Sequence, residues 1–247
     1  QNIQAELIRK VHAIRELRIE KVRERIAAPP PVVTDFIEVI PERQHLSTVV
    51  VIGASTGGPA AIMQTLGAFS EPPPCAFLIA QHMPAGFTES FADRLNRLTP
   101  FDVSQAKGGE VPMPGMVLLA PGGLNLEVEN TRGQIKTRIV ESSSSEKYVP
   151  SVDRLFESAA EHYGQDLLGV VLTGMGSDGR SGALAIKEKG GRVIAESEET
   201  AVIFGMPQQA IRSGAVDEVL PLHAVPAAIQ SVMSTGGVKK ANGRGAA

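Results

Sequence analysis

From residue 47 onward, short apolar runs alternate with amphipathic segments along the chain. The apolar runs predict buried strands at residues 49–52, 76–80, 117–120, 167–172 and 192–195. The amphipathic segments predict helices at residues 59–68, 87–97, 152–163 and 181–189. Strands that alternate with helices favour an α/β fold: a doubly wound, mostly parallel sheet with helices on both faces, in three α/β/α layers.

One part of this region departs from the alternation. Residues 124–129 and 134–140 are two strand-like runs, and the polar segment 130–133 (NTRG) joins them. This pattern predicts a β-hairpin. The segment ESSSSE at residues 141–146 follows it and is expected to be a polar loop.

The first 46 residues have a different pattern, so we predict a linker at 1–46 followed by a folded domain at 47–234. Apolar residues recur at helical spacing among Arg, Lys and Glu over residues 1–28, which predicts an amphipathic linker helix; a dimerising coiled coil is the alternative. AAPPPVV at residues 27–33 ends that helix. Residues 235–247 have no apolar pattern and are expected to be disordered. The first residue is Gln rather than Met, which suggests a piece of a longer chain.

Composition excludes several classes of function. The formal net charge of -3 gives no electrostatic reason to expect nucleic-acid binding. Cys75 is the single cysteine, so no internal disulfide can form, and a reducing, cytoplasmic location fits best. No apolar run approaches the ~20 residues of a membrane-spanning helix, so we expect no membrane insertion. No Cys/His spacing suggests a metal site, and we expect neither a metal nor an organic cofactor.

The motif GASTGG at residues 53–58 joins the first predicted strand to the first predicted helix. Such a turn either binds a phosphate on backbone N–H groups or exposes a nucleophilic serine. A dinucleotide-binding turn needs glycine where Ser55 stands, and a P-loop needs lysine where Pro59 stands, so both phosphate patterns fail. The pattern G-x-S-x-G of a nucleophile elbow fits, with Ser55 as nucleophile; a non-catalytic tight turn is the alternative.

A serine nucleophile needs a base and a group that orients the base. His82 follows the second predicted strand, and Asp178 lies in the glycine-rich loop after the strand at 167–172. Because the carboxyl ends of parallel strands share one edge of a sheet, Ser55, His82 and Asp178 are expected to meet there. A structural histidine and a helix N-cap are the alternatives for His82 and Asp178. The other histidines are interpreted as surface or packing residues: His12, His45, His162 and His223.

Several long motifs resemble one known family. IGASTGGP, QHMPAGFTESFADRLN, LLAPGG, PSVDRLFESAA, GVVLTGMGSDGRSGALAIKEKGG and FGMPQQAI are similar to the catalytic domain of the chemotaxis protein-glutamate methylesterases, the CheB family. The resemblance spans roughly residues 49–222. It implies Ser55 as nucleophile, His82 as base and Asp178 as the third member of the triad, with Met175 supplying an oxyanion N–H. Backbone donors around Ser55 and Thr56 would assist, and Thr56 could add its hydroxyl or simply start the helix.

The resemblance also implies a reaction and partners. The substrate would be a γ-glutamyl methyl ester on the cytoplasmic helices of a chemoreceptor, hydrolysed without any cofactor, with glutamine deamidation as a related activity. Family members commonly carry an N-terminal receiver domain, and residues 1–25 would be the end of its connection or its last helix. A non-catalytic receptor- or regulator-binding module of the same fold is the alternative, as is an esterase for another methylated protein.

Two positions depart from the family pattern. Asn125 stands where the family pattern A-P-G-x-x-H leads us to expect histidine, and Tyr148 and Val149 stand where basic residues are expected. Both segments would flank the cleft in this family. The departures therefore bear on substrate approach or on the choice of receptor, not on the triad.

Overall fold

The computed structural model describes residues 48–143 and 146–238. The helix predicted over residues 1–28 and the proline-rich linker lie outside the described residues. The described residues form a seven-stranded parallel sheet and a separate two-stranded hairpin. The predicted α/β class is confirmed.

The large sheet has the strand order β3-β4-β2-β1-β7-β8-β9, and every neighbouring pair is parallel. Its strands are β1 (Thr48–Ala54), β2 (Cys75–Gln81), β3 (Asp102–Gln105), β4 (Met116–Leu119), β7 (Leu167–Val171), β8 (Arg192–Glu196) and β9 (Glu218–Leu220). The hairpin comprises β5 (Leu124–Thr131) and β6 (Gln134–Glu141), as predicted. β1 lies at the centre of the sheet and is buried along its whole length.

Helices cover both faces of the sheet. They are α1 (Gly58–Gly67), α2 (Phe87–Leu98), α3 (Val152–Tyr163), α4 (Arg180–Glu188), α5 (Met206–Arg212) and α6 (Val225–Val238). α1, α2 and α6 bury their apolar residues in one core, whereas α3, α4, α5 and the hairpin share the other. The three predicted layers are therefore present.

The elements missed by the sequence analysis lie at the margins of the sheet or after its last long strand. β3 is an edge strand in which exposed and buried residues alternate, and β9 has only three residues. The apolar spacing of Val225, Ile229 and Met233 is helical, and it is the signal that could have predicted α6. α6 reaches Val238, so a helix occupies residues 235–238, the start of the segment expected to be disordered.

A close approach between β1 and α3 places the helix against the sheet. A Cβ built on Gly53 would lie 2.9 Å from Val152 Cγ2 and 3.1 Å from Val152 Cβ, and it would overlap Val152 Cγ1. Val152 is β-branched and stiff, and it is the first residue of α3, so it cannot move aside without the helix. Glycine at position 53 therefore sets the distance between the sheet and the start of α3.

Gly53→Ala is expected to destabilise the fold by about 1–3 kcal/mol, because the added methyl group overpacks this contact. Urea unfolding measures the change. The matched control is Gly169→Ala on β7. The atom nearest to the added methyl group would be Cδ1, the flexible end of the Ile186 side chain, so the loss of stability should be smaller. In a Val152→Ala background the cost of Gly53→Ala should shrink; an undiminished cost would show that the overlap is not its cause.

Candidate active site

Three strand ends meet at the carboxyl edge of the sheet. Ser55 directly follows β1, His82 directly follows β2, and Asp178 lies between β7 and α4. The His82 N–H donates to the carbonyl of Ala54 at 3.0 Å, and the Ser55 N–H donates to the carbonyl of Thr173 at 3.0 Å. These backbone hydrogen bonds continue the sheet past its last residues and hold the three segments side by side.

The turn that carries Ser55 needs its glycines. Gly57 has φ +83°, in the left-handed region that favours glycine, and it is the N-cap of α1. A Cβ on Gly57 would also lie 2.8 Å from Val202 Cβ. A Cβ on Gly58 would lie 2.7 Å from that of Ala54 and would overlap the Gln81 amide oxygen. The chain can therefore turn directly after Ser55 only because positions 57 and 58 are glycine.

His82 and Asp178 form a hydrogen-bonded pair. The His82 Nε2 lies 2.8 Å from the Asp178 Oδ2, and 14% of the His82 side chain but only 2% of the Asp178 side chain is exposed. A carboxylate accepts, so Nε2 carries the proton in this bond and Nδ1 is left as the nitrogen with a free lone pair. The orientation makes Nδ1 the basic atom of the imidazole.

The Asp178 carboxylate is held by donors from the start of α3. It accepts from the Val152 N–H at 2.7 Å, the Asp153 N–H at 2.9 Å and the Ser151 hydroxyl at 3.2 Å. Burial by itself raises the pKa of a carboxyl group. The hydrogen bond from His82 and its electrostatic attraction to the carboxylate, together with the backbone N–H groups of Val152 and Asp153, outweigh burial and hold the pKa of Asp178 below its usual value. Asp178 is therefore positioned as an ionised acceptor.

The alternative interpretation of Asp178 as the cap of its own helix is wrong. Gly179 is the N-cap of α4, and the Asp178 carboxylate faces the N-terminus of α3 instead. Asp153, on α3, accepts from the N–H groups of Gly179 and Gly182 at 2.9 and 2.7 Å, and so caps α4. The loop residue before the N-cap of α4, Asp178, thus satisfies the first N–H groups of α3, and Asp153 of α3 satisfies N–H groups at the start of α4.

The backbone N–H groups near Ser55 differ in their availability. The Ser55 N–H is already bonded to Thr173, so it is not a free oxyanion donor, contrary to expectation. The N–H groups of Thr56 and Met175 form no hydrogen bond among the residues that the structure describes. A Cβ on Gly174 would lie 2.7 Å from the Ser55 Cβ, which shows how closely the loop containing Met175 approaches Ser55. Thr56 and Met175 are therefore the candidate oxyanion donors.

The hydroxyl groups of Ser55 and Thr56 have no hydrogen-bond partner in the described part of the chain. Neither forms a hydrogen bond within residues 48–143 and 146–238, so the structure joins His82 to Asp178 but not Ser55 to His82 by a direct bond. Thr56 also does not start α1, because Gly57 is the N-cap. The pairing of Ser55 with His82 thus rests on their shared edge.

Two buried residues that the sequence analysis did not select hold this edge together. The Gln81 amide donates to the carbonyls of Ser55 and His82, both at 3.0 Å. The Thr173 hydroxyl donates to the Thr56 carbonyl at 3.0 Å, and the Thr173 N–H donates to the buried Glu196 carboxylate at 2.8 Å. Gln81 directly precedes His82 in the motif QHMP, and this position next to a candidate catalytic residue could have identified it.

The residues that depart from the family pattern have different environments. Asn125 is fully buried in β5, so its side chain is not available to contact a substrate. Tyr148 is half-buried and its ring stacks on that of His82. Val149 is half-buried and precedes Pro150 through a cis peptide bond. Tyr148 is thus the departure that reaches the site.

The remaining histidines lie elsewhere. His162 is in the last turn of α3, at the opposite end from Asp178, and His223 is exposed before α6. His12 and His45 are outside the described residues. Across residues 48–143 and 146–238, no three His, Cys, Asp or Glu side chains are grouped so as to hold a metal ion. No helix in the same ranges is long and apolar enough to cross a membrane.

Asp153 gives the fold a pH dependence. Its burial, and then the nearby charges of Asp178 and Glu157, raise its pKa from the usual 3.8 to about 6. Between about pH 4 and pH 6 the folded state therefore holds a proton that the unfolded chain has released, and the free energy of unfolding falls as the pH rises. Asp153→Asn should remove this fall while an amide oxygen still accepts from Gly179 and Gly182.

Urea unfolding from pH 4 to pH 8 measures this effect. The stability of Asp153→Asn relative to the wild type should increase from pH 4 to about pH 6 and then level off. Glu161→Gln, which changes an exposed carboxyl group on the same helix, is the matched control and should leave the difference flat. A difference for Asp153→Asn that does not vary with pH would contradict the assignment.

Comparisons with known proteins agree with the fold and with the motifs. The chain matches the family model for CheB methylesterase over residues 50–229. A relative from Geobacter sulfurreducens, named protein-glutamate methylesterase/protein-glutamine glutaminase 3, is 51% identical over 174 residues, which are 70% of this chain and 47% of the relative. A relative of the same kind from Anaeromyxobacter dehalogenans is 42% identical over 229 residues, covering 91% of this chain and 63% of the relative.

A solved structure agrees as well. The crystal structure of the Thermotoga maritima CheB methylesterase catalytic domain is similar with a TM-score of 0.72 and 38% identity, and the match covers 76% of this chain and 98% of that one. This chain spans about half the length of the relatives from Geobacter sulfurreducens and Myxococcus xanthus, at 47% and 53%. Fold, motifs and family model lead to one conclusion: this chain belongs to the CheB methylesterase family.

Proposed function

We propose that this chain is the catalytic domain of a protein-glutamate methylesterase that hydrolyses γ-glutamyl methyl esters and releases methanol. The observation that carries the proposal is the His82–Asp178 hydrogen bond of 2.8 Å at the sheet edge where Ser55 leaves β1. A basic nitrogen with an orienting carboxylate, next to a serine on an elbow turn, is what acyl transfer to serine requires. The names of the relatives support the same reaction.

The chemistry follows from the orientation of His82. Ser55 Oγ attacks the ester carbonyl carbon while Nδ1 of His82 takes its proton, and Asp178 stabilises the resulting imidazolium through Nε2. The nucleophile–base hydrogen bond commonly tightens only when substrate binds. The tetrahedral intermediate expels methanol, which receives the proton from Nδ1. Water then attacks the acyl-serine with His82 again as base, and the products are the glutamate carboxylate and Ser55.

The negative oxygen of each tetrahedral intermediate needs donors that are fixed beforehand. The donors we assign to it are the N–H groups of Thr56 and Met175, which have no hydrogen-bond partner within residues 48–143 and 146–238. One such donor typically lowers the barrier by about 3–4 kcal/mol. Glutamine side chains can follow the same path with ammonia as leaving group, which agrees with the second activity in the relatives' names.

The substrate we propose is the cytoplasmic helical part of a methyl-accepting chemoreceptor, which places the reaction in the cytoplasm. A receiver domain joined through residues 1–46 is the regulatory partner we propose. Both proposals rest on the family, whose members this chain matches over part of their length. Neither a metal nor an organic cofactor has a step in this reaction.

Methanol release tests the proposed reaction. Methylated chemoreceptor membranes incubated with the protein should yield methanol, and Ser55→Ala should abolish release because the nucleophile is lost. Ser177→Ala, an exposed serine in the loop before α4, is the matched control and should retain wild-type release. Retained receptor binding without methanol release from any methylated receptor would support a binding module instead. Release from another methylated protein alone would identify a different esterase.

Asp178→Asn tests the orienting role. We expect kcat to fall by about three to four orders of magnitude, because the amide group disfavours the tautomer with a basic Nδ1. Asp178 also accepts from two N–H groups of α3, so thermal unfolding must be measured alongside. Ser151→Ala removes one donor and keeps the carboxylate, and its kcat should stay within about tenfold of the wild type. A normal kcat for a folded Asp178→Asn would leave Asp178 with a capping role only.

A further inference from the structure

The ring of Tyr148 stacks parallel to the imidazole of His82. The two ring centroids are 5.0 Å apart and the ring planes differ by 5°, so the rings are stacked. The sequence departs from the family pattern at this position, and neither the fold nor the triad accounts for a tyrosine there. We infer that Tyr148 is a positioning residue for the proposed hydrolysis: its ring face holds the plane of the His82 imidazole. This inference rests on the proposed function.

The imidazole needs a second restraint. The single hydrogen bond of the His82 ring among the described residues is the one from Nε2 to Asp178. One hydrogen bond fixes a point on the ring but leaves the ring free to tilt about it. A parallel aromatic face fixes the plane, and with it the direction of the Nδ1 lone pair. The same face attracts the ring when it becomes an imidazolium during the reaction.

Tyr148 also contacts the loop that supplies an oxyanion donor. A Cβ on Gly176 would overlap the Tyr148 hydroxyl and lie 3.0 Å from its Cζ, so the ring rests on the backbone next to Met175. Gly176 has φ +100°, so glycine is required there twice, by its conformation and by this contact. Tyr148 thus contacts both the base, His82, and the segment that carries the Met175 N–H. The proposed mechanism depends on both groups.

The loop that carries Tyr148 is anchored on both sides of it. Before it, the Glu146 carboxylate accepts from Asn125 Nδ2 and from the Arg154 guanidinium, both at 2.6 Å. After it, the Ser151 N–H donates to the Asn125 Oδ1 at 2.8 Å. The hydrogen bond from Asn125, with further help from the Ser143 amide and Arg154, lowers the pKa of Glu146 and keeps it ionised. The two departures from the family pattern therefore act together: Asn125 fixes the loop, and the loop presents Tyr148.

Substitutions at Tyr148 separate the ring face from the hydroxyl. Tyr148→Leu removes the flat face and is expected to lower kcat for methanol release by about tenfold, with KM within about twofold of the wild type. Tyr148→Phe keeps the face and should keep kcat within about twofold. Tyr163→Leu replaces the other tyrosine, at the end of α3, and is the matched control: stability can fall, but kcat should not.

A readout without substrate distinguishes this inference from the proposed function. The proton shared by His82 Nε2 and Asp178 should give a downfield ¹H NMR resonance. That resonance should broaden or shift in Tyr148→Leu and persist in Tyr148→Phe and Tyr163→Leu. If the wild type released no methanol, the proposed reaction would fail, while the resonance would still test whether Tyr148 restrains His82.

Glu146→Ala provides a second variant in case Tyr148→Leu does not fold. It keeps the Tyr148 side chain but removes the anchor before it, so the ring is held less firmly against His82. We therefore expect kcat to fall, though less than in Tyr148→Leu, and the resonance to broaden. An unchanged kcat and resonance in Tyr148→Leu would overturn the inference. So would a rise in KM alone, which would make Tyr148 a substrate contact, or an equal loss in Tyr148→Phe, which would assign the effect to the hydroxyl.

Discussion

A buried carboxylate, Asp178, is the group on which the arrangement of the site depends. An ionised carboxylate away from water is tolerated only when hydrogen bonds or an opposite charge replace its hydration. Two N–H groups from α3, the hydroxyl of Ser151 and the His82 imidazole supply them. The need to satisfy one charge thus fixes the start of α3, the loop after β7 and the imidazole relative to one another.

The same need joins α3 to α4 on one face of the sheet. Asp178 faces the N-terminus of α3 and Asp153 caps α4, so neither helix can shift along the other without leaving N–H groups or a carboxylate unpaired. Gly53 allows α3 to approach β1 closely enough for this exchange. Packing in the core and orientation of the base are therefore two consequences of one set of contacts.

Hydrogen bonds between the strand ends make the edge rigid where the chemistry would occur. Gln81 binds the carbonyls of Ser55 and His82, and Thr173 accepts from the Ser55 N–H while donating to the Thr56 carbonyl. These bonds hold the turn in a conformation in which the N–H groups of Thr56 and Met175 have no partner among the described residues. Asn125 extends this principle to the loop that presents Tyr148 to His82.

The sequence by itself determined the α/β class, the hairpin and the central strands, because periodicity of apolar residues is a local property of the chain. It also placed Ser55, His82 and Asp178 at one edge, since each follows a strand of a parallel sheet. It missed β3 and β9, whose edge positions leave little apolar signal, the short helix α5, and α6, whose spacing it contained. Only the tertiary structure decided that Asp178 serves α3 rather than its own helix, that Nδ1 is the basic nitrogen, and that Tyr148 covers His82. These contacts join residues far apart in the chain, and their geometry depends on how the helices and loops pack, which no local pattern records.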